Sequence, residues 1–327
     1  MEQVTKKKLA MFSGRNSVEL TNQVAAVIGV DVGHANIAEF ANGEIHCRFS
    51  ESVRGADVFI LNTHSSHDGL SINDSIIEHL VMVDAAQRAS AKRISVVAPF
   101  YGYGRQDRKA AGREPITAKL VANMFTAAGA DRLISVDLHS GQIQGFFDGP
   151  VDHLTAMPVL IDYLKSLGTD DLVVVSPDAG RVKVAERYAN QLGASLAIVH
   201  KRRVAGKKNA VEAKDVVGDV EGKVCVLIDD MIDTGGTIVA AAEELVDKGA
   251  KAVIAATTHP VLSGPAVDRL KNSSIEKVIV TDTLPIGPDK EFDKLVVLSV
   301  SGIIAKAIEA VFDDTTVSEI FDGKNLS

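Results

Sequence analysis

The 327-residue chain carries a formal net charge of −8, and 46% of its residues are hydrophobic. That acidity argues against a protein that coats nucleic acid, while the length and apolar share suffice for two domains with separate cores. Its two cysteines, Cys47 and Cys225, are too few and too isolated for a disulfide framework or zinc site. No run of about 18 apolar residues offers a membrane span, and the opening MEQVTKKKLA lacks an apolar signal segment, so a soluble cytoplasmic protein is expected.

In chain order, Ile94 to Ala98 reads as an apolar strand and feeds a glycine-rich basic loop, Tyr101 to Pro115, with Arg105, Arg108, Lys109 and Arg113. Four cations in one loop of an acidic protein can close over a polyphosphate; incidental surface pairing is the plainer alternative. Ala127 to His139, AAGADRLISVDLH, reads as a helix end and a strand finishing in His139. A fresh βα series starts near Val151 to Pro158, with a helix over Val159 to Leu167. Asp178, in SPDAG, sits at a strand end, where it is either a ligand or a turn cap. The strand Leu196 to Val199 runs into Lys201, Arg202 and Arg203, either a functional cluster at a sheet edge or a solvated charge run. Asp247 to His259, DKGAKAVIAATTH, repeats the earlier pattern with the same glycine-to-histidine spacing, and His259 is read as structural. The chain is therefore read as two copies of one α/β unit. No Walker A sequence occurs, and Gly102-Tyr103-Gly104 does not complete a dinucleotide fingerprint.

The second copy holds the most informative stretch, Val224 to Thr237, VCVLIDDMIDTGGT. An apolar run reads as a buried parallel strand ending in Asp229 and Asp230; a short loop then opens a helix over Ile238 to Gly249. Such a loop lies at the carboxyl edge of a sheet, where open α/β folds bind ligands. Its glycines and the helix start turn N–H groups and a partial positive charge toward one point, which suits a phosphate. The paired carboxylates can accept hydrogen bonds from sugar hydroxyls or hold Mg²⁺ through water. Together they suggest a phosphorylated sugar bound at both ends.

This run resembles the 5-phosphoribosyl 1-diphosphate (PRPP) motif shared by type I phosphoribosyltransferases and PRPP synthetases. Further segments resemble the synthetases, the ribose-phosphate diphosphokinases, nearly end to end. They include FSGRNS (Phe12 to Ser17), FANGE (Phe40 to Glu44), GRQDRK (Gly104 to Lys109), REPITAKLVA (Arg113 to Ala122), DLHSGQIQGFFD (Asp137 to Asp148), KRR (Lys201 to Arg203) and THPVLSG (Thr258 to Gly264). The GRQDRK and KRR segments separate the synthetase from a plain transferase. The resemblance implies two similar phosphoribosyltransferase-like domains, each a mainly parallel sheet flanked by helices. They are expected over 1–152 and 153–310, with the tail 311–327 packed on the first.

The resemblance also implies roles. Asp229 and Asp230 bind the ribose hydroxyls of ribose 5-phosphate, and Asp233, Thr234, Gly235, Gly236 and Thr237 its phosphate. Arg105 and Gln106 contact ATP, whose adenine meets Phe40, Asn42, Gly43 and Glu44 of a neighbouring subunit. His139 and Asp178 lie on the Mg²⁺–nucleotide complex, and Lys201 and Arg203 are catalytic, reaching the transferred diphosphoryl group. A homo-oligomer, expected to be a hexamer, is activated by inorganic phosphate through Ser52, Arg54, Arg108, Thr316 and Ser318. Asn42, His200 and Asn62-Thr63-His64 depart from the commoner family pattern without removing a catalytic group. A plain phosphoribosyltransferase and a non-catalytic associated subunit are the rival readings.

Overall fold

Apolar runs alternating with amphipathic stretches fold here as parallel strands joined by helices. The computed structural model describes residues 7–169, 171–202 and 213–321. The chain divides into two compact units. The first is drawn from residues up to Thr155, Thr283–Pro285 and residues from Ser299 on, and the second from Ala156–Asp282 and Ile286–Leu298.

The first unit begins β1 (Leu9–Ser13), α1 (Val18–Ile28), β2 (Ala35–Glu39), β3 (Ile45–Phe49) and β4 (Asp57–Leu61). It continues α2 (Ile72–Arg88), β5 (Arg93–Val97), α3 (Thr117–Ala128), β6 (Arg132–Val136) and β7 (Val151–Leu154). Its main sheet has the order β1-β4-β5-β6-β7 with every neighbour parallel. All of β4 and most of β5 and β6 are buried, as strands covered on both faces must be. A reciprocal cap starts α2: the Ser71 N–H donates to Asp74 Oδ2 at 2.8 Å and the Asp74 N–H to Ser71 Oγ at 3.2 Å. Strands β2 and β3 form a separate antiparallel hairpin.

The second unit contains α4 (Met157–Ser166), β8 (Leu172–Ser176), α5 (Val182–Leu192), β9 (Ser195–Arg202) and β10 (Ala213–Val217). Then come β11 (Val224–Ile232), α6 (Gly236–Asp247), β12 (Ala252–Pro260), α7 (Ala266–Lys271), β13 (Ile275–Thr281) and β14 (Leu295–Leu298). The order is β10-β9-β8-β11-β12-β13-β14, parallel except that β10 runs antiparallel to β9. No helix among the described residues is long and apolar enough to cross a membrane.

Three details differ from the sequence reading. The last helix, α8 (Ser301–Phe312), falls in the first unit rather than in a second domain reaching residue 310. It packs beside α1 and buries Ile303, Ile304, Ala307 and Ile308, and Ser299 Oγ donates to Gln23 Oε1 at 2.7 Å. Beyond it, Val317–Phe321 forms a short 3-10 turn with Phe321 buried. Strand β11 does not stop at the aspartates but continues to Ile232, because β12 is equally long and pairs with it as far as Ile232↔Pro260. Strand β6, by contrast, ends at Val136, and Asp137 turns the chain with φ +39° before His139.

Candidate active site

In the second unit the site is built at the carboxyl end of β11. Pairing between β11 and β8 ends at Leu227↔Val175, so the next residues of β11 face an open flank. Asp229 and Asp230 stand there, and Asp229 Oδ1 accepts the Asp230 N–H at 2.8 Å. Burial, then the neighbouring Asp230, raises the Asp229 pKa; Arg181 opposes the rise. Arg181 Nε lies 3.3 Å from Asp229 Oδ1, and its Nη2 pairs with Asp230 Oδ2.

The loop after β11 turns into α6 through Gly235, whose φ of +74° is left-handed. Gly235, the N-cap of α6, has no side chain, and the helix start places first-turn N–H groups and positive dipole on the side where Asp233 to Thr237 lie. The far side of the loop is fixed: the Ser263 N–H donates to Asp233 O at 2.9 Å and Arg269 Nη1 to Thr234 O at 3.0 Å. Gly236 has no unusual φ, and a Cβ there would lie 3.4 Å from Arg269 Nη1. The backbone demand therefore falls on Gly235, not on Gly236.

Asp178 lies just beyond the end of the neighbouring β8, where its Oδ1 accepts the Gly180 N–H at 2.8 Å and caps a one-turn 3-10 helix, Ala179–Arg181. The turn-cap role raised from sequence is thus present, on a carboxylate that is also exposed. Lys201 belongs to β9, opposite Lys214 of β10. Arg203 lies outside the described residues.

In the first unit the basic loop is tied down at many points. Tyr101 OH donates to Ala118 O at 2.9 Å, the Gln106 N–H to Tyr103 O at 2.9 Å, and Thr117 Oγ1 to Gln106 Oε1 at 2.5 Å. The buried Asp107 carboxylate accepts from Ser140 Oγ and Gln142 Nε2, both at 2.6 Å, joining this loop to the segment that follows His139. A Cβ on Gly104 would sit 3.5 Å from His139 Cβ, so loop and histidine are in close approach. Arg105, Gln106 and Arg108 remain exposed.

Two buried histidines absent from the expected site support this loop. The Gly102 N–H donates to His64 Nδ1 at 3.0 Å, His64 Nε2 meets His79 Nδ1 at 3.2 Å, and His79 Nε2 meets Ile60 O at 3.0 Å. Only neutral rings with both protons on Nε2 satisfy that chain of donors. Burial accordingly holds the His64 pKa well below the ordinary value and that of His79 down to about 4.

Phe40 to Glu44 form the tip of the β2–β3 hairpin, with the Phe40 N–H on Glu44 O at 2.9 Å and Gly43 at φ +88°. The Phe40 side chain is 58% exposed, and Arg15 Nη1 braces the hairpin by donating to Glu39 at 2.7 Å. Ser52, Arg54, Thr316 and Ser318 are exposed on the first unit.

A ribose-phosphate pyrophosphokinase of Streptomyces coelicolor is 54% identical to this chain over 317 residues, covering 97% of each. The chain belongs to the ribose-phosphate pyrophosphokinase family. One of Mycobacterium tuberculosis is 51% identical over 320 residues, again 97% of each. Two family models match, the N-terminal domain of ribose phosphate pyrophosphokinase over residues 9–129 and the phosphoribosyl synthetase-associated domain over 204–322. The crystal structure of phosphoribosylpyrophosphate synthetase from Mycobacterium smegmatis is 51% identical, with a TM-score of 0.88 over 94% of this chain and 100% of that one. The pair of mainly parallel α/β units is thus the fold of this pyrophosphokinase family.

Arg181 and His79 were not among the expected site residues, and His64 entered only as a departure from the family pattern. The motif segment SPDAG stops one residue short of Arg181, and nothing in the sequence links His64 to His79.

Proposed function

We infer that this protein transfers the β,γ-diphosphoryl group of MgATP to the anomeric hydroxyl of ribose 5-phosphate, giving 5-phosphoribosyl 1-diphosphate and AMP. The observation that carries the reading is the carboxylate pair at the open end of β11, followed directly by the Gly235 turn into α6. It occurs in a chain that matches named pyrophosphokinases along nearly its whole length.

The sugar oxygen forms a bond to the β-phosphorus, the bond from that phosphorus to the oxygen shared with the α-phosphorus breaks, and AMP departs with that oxygen. The hydroxyl proton passes to solvent, with no residue assigned as its base. Such a transfer depends on alignment and on charge neutralisation. Asp229 and Asp230 hold the sugar hydroxyls, and the Asp233 to Thr237 loop holds the 5-phosphate. Lys201 and Arg203 meet charge as it grows on the transferred group. Arg105 and Gln106 bind ATP, with Phe40, Asn42, Gly43 and Glu44 of a second copy against its adenine; the exposed Phe40 ring suits that stacking. A bound Mg²⁺ would reduce the repulsion between phosphate oxygens and the incoming hydroxyl. It is a hard cation, so an exposed carboxylate such as Asp178 fits it, and Asp178 and His139 would hold it.

The active form is a homo-oligomer, a hexamer on this reading, with phosphate activating through Ser52, Arg54, Arg108, Thr316 and Ser318, and it works in the cytoplasm. Incubation of the pure protein with ribose 5-phosphate and MgATP tests the reaction: AMP forms in step with the sugar diphosphate. A plain transferase or a silent subunit releases none.

A further inference from the structure

The carboxylates assigned to the ribose hydroxyls already have a partner within their own unit. Ser176 Oγ donates to Asp178 O at 2.6 Å, and Asp178 caps the turn that follows. That turn delivers Arg181, at the start of α5, to the flank of β11 left open where pairing with β8 ends. The guanidinium spans the two acids, with Nε 3.3 Å from Asp229 Oδ1 and Nη2 on Asp230 Oδ2. All three side chains are largely withdrawn from water, at 17% exposure for Arg181, 20% for Asp229 and 7% for Asp230.

Adjacent carboxylates withdrawn from water do not both stay ionised without a cation. An arginine is charged at every relevant pH, and its planar fork presents separate N–H groups to separate acceptors, which an ammonium does not. A carboxylate has about four lone-pair sites. Arg181 and the Asp230 N–H both fall on Oδ1 of Asp229, so the guanidinium can remain while a sugar hydroxyl is bound.

We propose that Arg181 is a positioning residue of the ribose 5-phosphate site, pairing with Asp229 and Asp230 and orienting them to accept the sugar hydroxyls. This rests on the function inferred above. A merely structural ion pair would change stability and leave substrate preference alone, so the test is a split between substrates.

Steady-state kinetics of the wild type, Arg181→Ala, Arg181→Gln and Arg181→Lys, varying each substrate in turn, supply it. In Arg181→Ala and Arg181→Gln the KM for ribose 5-phosphate is expected to rise roughly tenfold or more, the size of effect that follows when a charged hydrogen-bond partner is lost. The KM for ATP and kcat stay close to wild type. Arg181→Lys lies between, because its ammonium restores charge but not the fork, and millimolar guanidinium partly restores Arg181→Ala. Calorimetric titration of ribose 5-phosphate into folded Arg181→Gln gives the same answer without turnover. An unchanged or lowered KM for ribose 5-phosphate in Arg181→Gln, or a parallel rise for both substrates, overturns the proposal. Absence of AMP formation by the wild type overturns the underlying function instead, so the two failures are distinguishable.

Discussion

Lys201 and Arg203 are assigned to charge that exists only while the diphosphoryl group is in flight. Replacing either by alanine is therefore expected to lower kcat on the order of 10²–10³-fold while leaving substrate affinity nearly unchanged. Near-normal turnover with only a raised KM for ATP would contradict that role. The two glycines of the phosphate loop give a sharper contrast. Gly235 has φ +74°, where a side chain is strained even though a Cβ would meet only ordinary contacts, the nearest at 3.6 Å from Ala266 Cα, so Gly235→Val strains the backbone by about 1–3 kcal/mol. Gly236 has an ordinary φ, and its nearest neighbour is the end of a flexible arginine at 3.4 Å. Urea unfolding is expected to place Gly235→Val well below Gly236→Val in midpoint, and calorimetry to show weaker ribose 5-phosphate binding by Gly235→Val. Equal midpoints and equal affinities would show that the turn at Gly235 is not what shapes the loop.

Elements bind the basic loop to the sheet through the histidine chain, which joins the end of β4, the middle of α2 and Gly102. A histidine whose folded pKa is depressed to about 4, as for His79, is protonated first in the unfolded state. Its contribution is thus fully present above the unfolded pKa of about 6.5 and is lost as pH falls toward the folded value, in all on the order of 3 kcal/mol. His64 acts in the same direction. Urea midpoints are expected to fall between about pH 7 and about pH 5.5 in the wild type and to fall less in the His64→Gln, His79→Gln double variant. Equal slopes would show that the pair does not remain neutral in the fold.

The sequence made some elements legible and hid others for physical reasons. Strands β5, β6 and the first half of β11 are apolar runs buried on both faces, and such runs announce themselves. The second halves of β11 and β12 carry Asp229, Asp230, Thr257, Thr258 and His259, and pairing with each other carries them on as strand. An amphipathic pattern shows that α8 has a face to bury but not which unit buries it. The turn from β11 into α6 was legible because its residues are contiguous. Arg181 was not, since a basic residue near a helix start reads as solvent-facing until the fold sets β8 beside β11.

At the scale of the whole molecule, the reading requires an ATP site completed by Phe40 to Glu44 of a second copy. Inactive Lys201→Ala subunits mixed with inactive Glu44→Ala subunits are then expected to regain part of the wild-type activity, because some shared sites contain neither defect. Free subunit exchange with no recovery at any ratio would mean that each site is built within one chain. Loss of that arrangement would leave the reaction itself standing, and the reaction is the central claim. Its most direct measurement is the nucleotide released when the pure protein turns over ribose 5-phosphate with MgATP. Diphosphoryl transfer requires one AMP for each sugar diphosphate formed and no ADP. Release of ADP would mean transfer of a single phosphoryl group, and absence of any sugar-dependent nucleotide product would mean that the site at β11 does not perform this chemistry.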